Sequence, residues 1–250
     1  MTILNTFKRY EKKYMLNQQQ YEAIKQVLSQ YMQEDAYGKY TICNIYYDTE
    51  RYDLIRTSLD KPIYKEKLRL RSYGVPGGSD LVFLELKKKY KGVVYKRRVQ
   101  MTLAQAEAYL STGNKPLQDS QILEEIDWFL QTVHPEPKVY LAYDRIALSG
   151  RDNEELRVTF DTHIRFREKD LELSQGDFGT DLLEGRPYLM EIKIPGTMPL
   201  WMAHMLAENE IYPISFSKYG TCYQNNLFQE EDFQLQEKKK TVQIGGYSYA

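Results

Sequence analysis

The stretch YKEKLRLRSY (Tyr64–Tyr73) alternates charged and apolar residues with a period of two, the signature of a β-strand. Lys65, Lys67, Arg69 and Arg71 then share one face, while Leu68 and Leu70 share the other. At about 3.3 Å per residue the four cations cover about 20 Å. The next residues, GVPGGSD (74–80), form a turn by their Gly and Pro content, and LVFLELKKK (81–89) is the return strand. A second turn at Lys91-Gly92 leads into VVYKRRVQM (93–101), which makes three adjacent antiparallel strands.

The same phase recurs outside this unit. Glu85, Lys87 and Lys89 share a face of the return strand, Arg9, Glu11 and Lys13 align in FKRYEKKYML (7–16), and Glu191 and Lys193 align in YLMEIKI (188–194). Taken singly, each such face is the wet side of an open sheet. Repetition of predominantly positive faces changes the balance, because like charges on neighbouring strands repel by roughly 0.2–1 kcal/mol per pair. An anion relieves that repulsion. At an effective dielectric of 20, a cation about 4 Å from a phosphate gains roughly 4 kcal/mol. Closing the sheet with this face inward creates a cationic tunnel. Where Glu and Lys lie two apart on a strand, the carboxylate can hold a divalent cation while the ammonium meets a phosphate oxygen.

Between these strands lie helical signals. Asn17 with Gln20 and Thr102 with Gln105 read as capping boxes, and Ile122, Ile126, Phe129 and Val133 form one apolar stripe over residues 120–133. A short helical turn is expected over 51–59, and a last helix over 199–208, where Met198, Trp201, Met202 and Met205 read as core packing. Further strands are expected at 41–48, 138–149, 156–161, 163–167 and 188–194. The fold class expected is α+β: a closed antiparallel β-barrel tunnel of about eight strands with flanking helices. Residues 1–232 form this domain, and 233–250, with a Lys run and Gly-Gly, a flexible tail.

Composition narrows the function. The 250 residues are 42% hydrophobic and 28% charged with a formal net charge of −1, which suits a globular domain and argues against a surface that coats nucleic acid. Carboxylates interleaved on the basic faces would repel a nucleic-acid backbone. Cys43 and Cys222 are the only cysteines and have no zinc or disulfide spacing. No signal peptide or long apolar run is present, so a cytoplasmic location is expected. There is no GxxxxGK[ST] loop, and His134, His163 and His204 have no metal-motif spacing.

In order along nearly the whole chain, RYEKKYML, LRLRSY, LELKKK, YKRRV, AYDR, RVTFDTHIRFR, LMEIKIPG and FSKYGT resemble the triphosphate tunnel metalloenzyme superfamily, most closely its polyphosphate polymerase (VTC) branch. The resemblance implies a strand tunnel lined by Lys and Arg with a metal-binding Glu. By motif, Lys13, Lys67, Arg69, Arg71, Lys87, Lys96, Arg145, Arg157 and Lys193 would bind phosphates, with Ser217 and Lys218 at one mouth. Glu191 would hold Mn²⁺ or Mg²⁺, helped by Glu85 and Glu11, and Arg69, Arg71, Lys87, Arg145 and Glu191 would be the catalytic set. The implied partners are ATP and inorganic polyphosphate or tripolyphosphate, with a separate membrane protein as a further partner and the oligomeric state left open. The eukaryotic polymerase subunits add an SPX domain and membrane helices; the resemblance extends to neither here. Synthesis of polyphosphate from ATP is the activity expected, ahead of tripolyphosphate hydrolysis and of non-catalytic polyphosphate sensing.

Overall fold

A computed structural model describes residues 9–116, 120–185 and 187–227; the expected 233–250 tail lies outside them. Nine strands form one antiparallel sheet. They are β1 (Arg9–Leu16), β2 (Met32–Asp48), β3 (Tyr64–Tyr73), β4 (Leu81–Tyr90), β5 (Val93–Thr102), β6 (Glu136–Gly150), β7 (Arg157–Arg167), the two-residue β8 (Thr180–Asp181) and β9 (Tyr188–Pro195). The order is β1-β9-β7-β6-β2-β3-β4-β5, with β8 beside β7. Six α-helices accompany them: α1 (Gln18–Tyr31), α2 (Asp53–Leu59), α3 (Leu103–Thr112), α4 (Gln121–Val133), α5 (Leu200–Glu208) and α6 (Lys218–Cys222).

The capping boxes at Asn17/Gln20 and Thr102/Gln105 both form, and Ser120 caps α4. The expected strands at 156–161 and 163–167 are one strand, β7. A bulge between Ala142 and Asp144 in its pairing with β6, with His163 at φ 47°, breaks the alternation that a continuous strand would show.

The sheet curls strongly but is not a closed barrel, which corrects the expected tunnel. Its ends, β1 and β5, do not pair. The physical reason lies along β1. Ile214 N–H donates to Lys13 C=O at 2.7 Å in an isolated bridge, so the edge that closure would require already carries another segment. Residues 214–217 thus stand where the joining strand would be. That same segment receives Lys13 Nζ at Phe216 C=O (3.0 Å) and Lys67 Nζ at Ser217 Oγ (3.1 Å), tying β1 to β3 across the curl.

Two apolar cores pack on the convex side. One places Leu68, Leu70, Leu84, Leu86 and Val99 under α3 and α4; the other places Tyr14, Leu16, Val158, Phe160, Met190 and Ile192 under α1 and α5. Each strand spends its apolar alternate residues here, at about 1.5–3 kcal/mol per fully buried side chain, and is left with its charged alternates on the concave side.

Candidate functional site

Strand register brings the charged alternates together. Row by row across the concave face, Arg69 on β3 lies opposite Glu85 on β4, which lies opposite Arg98 on β5; Lys67, Lys87 and Lys96 form the adjacent row. On the other limb, Lys13 on β1 faces Glu191 on β9, Glu11 faces Lys193, and Glu191 faces Thr159 on β7. Arg145 on β6 faces Asp161 on β7. The limbs approach each other: the charges of Glu11, Lys13 and Glu191 all act on Lys87, although β1 and β4 are far apart in the sheet order.

Most of the cations are held by a buried carboxylate. Glu85, 1% exposed, accepts from Arg69 Nε (2.7 Å), Arg98 Nε (2.6 Å) and Lys96 Nζ (2.8 Å), with Arg71 Nε at 4.0 Å. Burial works to raise its pKa, but Arg69, Arg71 and Lys96 outweigh that and hold the carboxyl well below the usual range. Asp161, 0% exposed, takes Arg145 in a two-pronged contact (2.6 and 2.8 Å) and Lys218 Nζ at 2.5 Å. Against the cost of burial, Lys218 and Arg145 pull its pKa down to about 2. Glu191 contacts Lys193 at 3.4 Å; burial raises its pKa, and Lys13, Lys193, Lys218 and Arg145 together bring it below normal.

Lys67 and Lys87 have no carboxylate partner in the described residues and stand opposite each other on β3 and β4. Burial, with the charges of Lys65, Lys87 and Lys13 added, pushes the Lys67 ammonium down to about 8; Tyr46 acts the other way. Desolvation likewise lowers Lys87, although the residue as a whole stays exposed. Lys65 and Lys89, the next opposed pair along β3 and β4, also have no carboxylate partner among the described residues.

One end of the concave face is stoppered. The FSKYG segment explains itself here: Ser217 caps α6 by accepting from Gly220 N–H, Lys218 reaches Asp161, and Tyr219 stacks on Tyr46 with centroids 4.8 Å apart. Tyr219 Oη donates to Asp48 Oδ2 (2.9 Å), and Asp48 also accepts from the Leu54 and Ile55 N–H groups at the start of α2. A Cβ at Gly220 would come within 3.2 Å of Leu59 on α2 and of Ser217, so an alanine there would need those side chains to give by a few tenths of an ångström. Ile42, Leu141, Tyr143, Leu189 and Cys222 complete this apolar plug.

Lys13, Lys67, Arg69, Arg71, Lys87, Lys96, Arg145, Lys193, Ser217, Lys218, Glu11, Glu85 and Glu191 therefore share the concave face, with Arg157 exposed at its rim opposite Lys193. Sequence reasoning missed Asp161 and Arg98, although Arg98 lies two positions from Lys96 on β5. It also missed Asn44 and Tyr143, which hold Arg71 from Oδ1 (2.9 Å) and Oη (3.0 Å). Asn44 is a polar residue within a β-branched and aromatic run, and Tyr143 lies two positions before Arg145 on β6. Among the described residues, no three His, Cys, Asp or Glu side chains gather as a ready metal cage. Glu191 and Glu11, diagonal across β1 and β9, are the pair that remains for a divalent cation. This fits Mg²⁺ or Mn²⁺, which take one or two carboxylates and fill the other positions with water and phosphate oxygens.

The sequence matches the VTC domain model over residues 8–226. The chain belongs to the VTC domain family. Among solved structures, a candidate adenylate cyclase from Bacillus halodurans is 13% identical, with a TM-score of 0.52 over 83% of this chain and 92% of that one. A candidate adenylyl cyclase from Hippeastrum, described as having a dominant triphosphatase activity, is 16% identical, with a TM-score of 0.49 over 85% of this chain and 93% of that one. No curated protein matches the sequence. The first likeness shows a shared fold, that of the triphosphate tunnel enzymes, here with an open sheet. Family membership ties the VTC-domain chain to polyphosphate and triphosphate chemistry, and triphosphatases of the tunnel fold are generally metal-dependent. No helix among the described residues is long and apolar enough to cross a membrane.

Proposed function

We propose that this VTC domain is a metal-dependent polyphosphate polymerase that transfers the γ-phosphate of ATP to a polyphosphate chain lying along the concave face. The observation that carries the reading is the pairing pattern of the site. Glu85 and Asp161 are each engaged by several cations, while Lys67 and Lys87 keep their charge for a ligand.

Phosphoryl transfer needs positioning and charge neutralisation above all. Lys67 and Lys87 would meet the phosphates between the two limbs, flanked by Lys13 and Lys96. Arg69, Arg71 and Arg145, oriented by Glu85, Asn44 and Asp161, would present fixed forks to non-bridging oxygens. Lys193, Arg157, Ser217 and Lys218 would extend the track toward the rim and the plug. Glu191, with Glu11, would hold the cation, and a bound Mg²⁺ or Mn²⁺ would neutralise charge on the transferring group. The terminal oxygen of the polyphosphate forms the new P–O bond as the bond from the γ-phosphorus to the β,γ-bridging oxygen breaks, and ADP departs with that oxygen. The attacking group is already an oxyanion, so no general base is needed. Hydrolysis would need a carboxylate free to orient and deprotonate water. Commitment of Glu85 to Arg69, Lys96 and Arg98 leaves Glu11 as the chief candidate for that task and favours synthesis.

The test is incubation of the protein with ATP and Mn²⁺ or Mg²⁺, followed by separation of the products. Long phosphate chains with ADP are expected. Orthophosphate released from tripolyphosphate, without chain growth, would replace this reading with the hydrolase. Tight polyphosphate binding without turnover would leave a sensor. A cytoplasmic location and a membrane partner that receives the product are compatible with the same reading.

A further inference from the structure

We infer that the Thr159 hydroxyl is an additional oxygen ligand of the divalent cation held by Glu191, an inference that rests on the metal-dependent reading of this site. Thr159 lies on β7 directly opposite Glu191 on β9, and its other cross-strand neighbour is Ala147 on β6. It is 7% exposed, and its Oγ1 is buried with no hydrogen-bond partner. Ala147 offers it nothing, and the Glu191 carboxylate turns instead to Lys193 at 3.4 Å. A buried hydroxyl without a partner is costly, and native proteins seldom keep one without a use. Valine has nearly the same shape and would satisfy this strand position without that cost.

The chemistry suits a hard cation. Directly opposed residues on adjacent strands have Cβ atoms about 4.5–5.5 Å apart, so a carboxylate and a hydroxyl placed this way can reach one ion from two sides. Mg²⁺ and Mn²⁺ accept neutral oxygen ligands, and a Ser or Thr hydroxyl serves Mg²⁺ in phosphate-binding loops. Neutrality matters at this position. A further carboxylate would cancel part of the positive potential that the concave face needs for a polyanion, whereas a hydroxyl adds a ligand atom and no charge. Among the described residues no three His, Cys, Asp or Glu side chains gather as a cage, and Asp161, diagonal to Glu191, is already engaged by Arg145 and Lys218.

The experiment is a titration of the whole chain with Mn²⁺, followed by the electron paramagnetic resonance signal of the free ion, with and without a non-hydrolysable ATP analogue. Wild type should bind. E191Q should lose the bound ion. T159V should weaken Mn²⁺ affinity about tenfold, and T159S, which restores the hydroxyl, should stay close to wild type. T159V should unfold at or above the wild-type temperature, since it removes an unpaired hydroxyl. If wild type and T159V bind Mn²⁺ equally while E191Q does not, Thr159 is no ligand and the metal reading stands. If wild type itself binds no Mn²⁺ under either condition, the metal reading falls and the role of Thr159 falls with it.

Discussion

Arg69 Nε donates to Glu85 Oε2 at 2.7 Å across the β3–β4 pair, and the same carboxylate takes Arg98 from β5. One buried anion thereby fixes the fork of a guanidinium group on each neighbouring strand. The sequence pattern presents Glu85 as a helper for the metal; the geometry gives its oxygens to cations.

Glu85→Gln removes a negative charge from the proposed anion site, yet it should weaken tripolyphosphate binding, because Arg69 and Arg98 lose their orientation. It should also destabilise the fold by about 3 kcal/mol, as expected when one member of a buried ionic network is removed. The pH dependence has a definite sign. The folded pKa of Glu85 lies below its ordinary value of 4.5, so its contribution is complete above that pH and fades as pH falls further. Denaturant unfolding of both proteins should show the gap narrowing below about pH 4 and constant near pH 7.

Lys67 gives a second prediction. With its ammonium at about 8 in the free protein, a bound phosphate chain should raise that value and draw a proton from solution. Near pH 8 the uptake should be on the order of half a proton per ligand. Calorimetric titration with tripolyphosphate in buffers of different ionisation enthalpy measures it directly. Affinity should fall as pH rises past 8, and Lys67→Met should reduce the proton uptake to the part that Lys87, also lowered by desolvation, supplies.

The plug makes a third. Tyr219→Phe keeps the ring against Tyr46 but leaves Asp48 without its phenolic donor, at a cost of about 1–3 kcal/mol. Tyr219→Ala also empties the apolar packing and should cost about 3–5 kcal/mol. Equal unfolding midpoints for Phe, Ala and wild type would show that Tyr219 does not hold this end of the groove.

Much of the cationic face was legible because it follows from alternation. Leu68, Leu70, Leu84 and Leu86 must go to a core, and that alone sends Lys67, Arg69, Glu85 and Lys87 to the other side. Closure was not legible. It depends on what occupies the free edge of β1, and Ile214 belongs to a segment with no strand signal of its own. The first half of β2 was equally silent, since Met32–Tyr40 is mostly exposed and carries Gly38 at φ 61°. Which carboxylate serves cations and which serves a metal depends on cross-strand register, which periodicity within one strand does not contain. Asp161 shows this: its sequence neighbours say nothing of Arg145 or Lys218.

The central claim is that Lys67 and Lys87, opposed and without carboxylate partners, are kept charged for a linear polyphosphate. Its most direct test is calorimetric titration of tripolyphosphate into wild type and into a Lys67→Met, Lys87→Met double variant at pH 7. Loss of two charge-assisted contacts corresponds to about 3 kcal/mol or more, so affinity should drop at least about 100-fold. The unfolding temperature should hold or rise as the like-charge repulsion disappears. Undiminished affinity in a folded double variant would contradict the account.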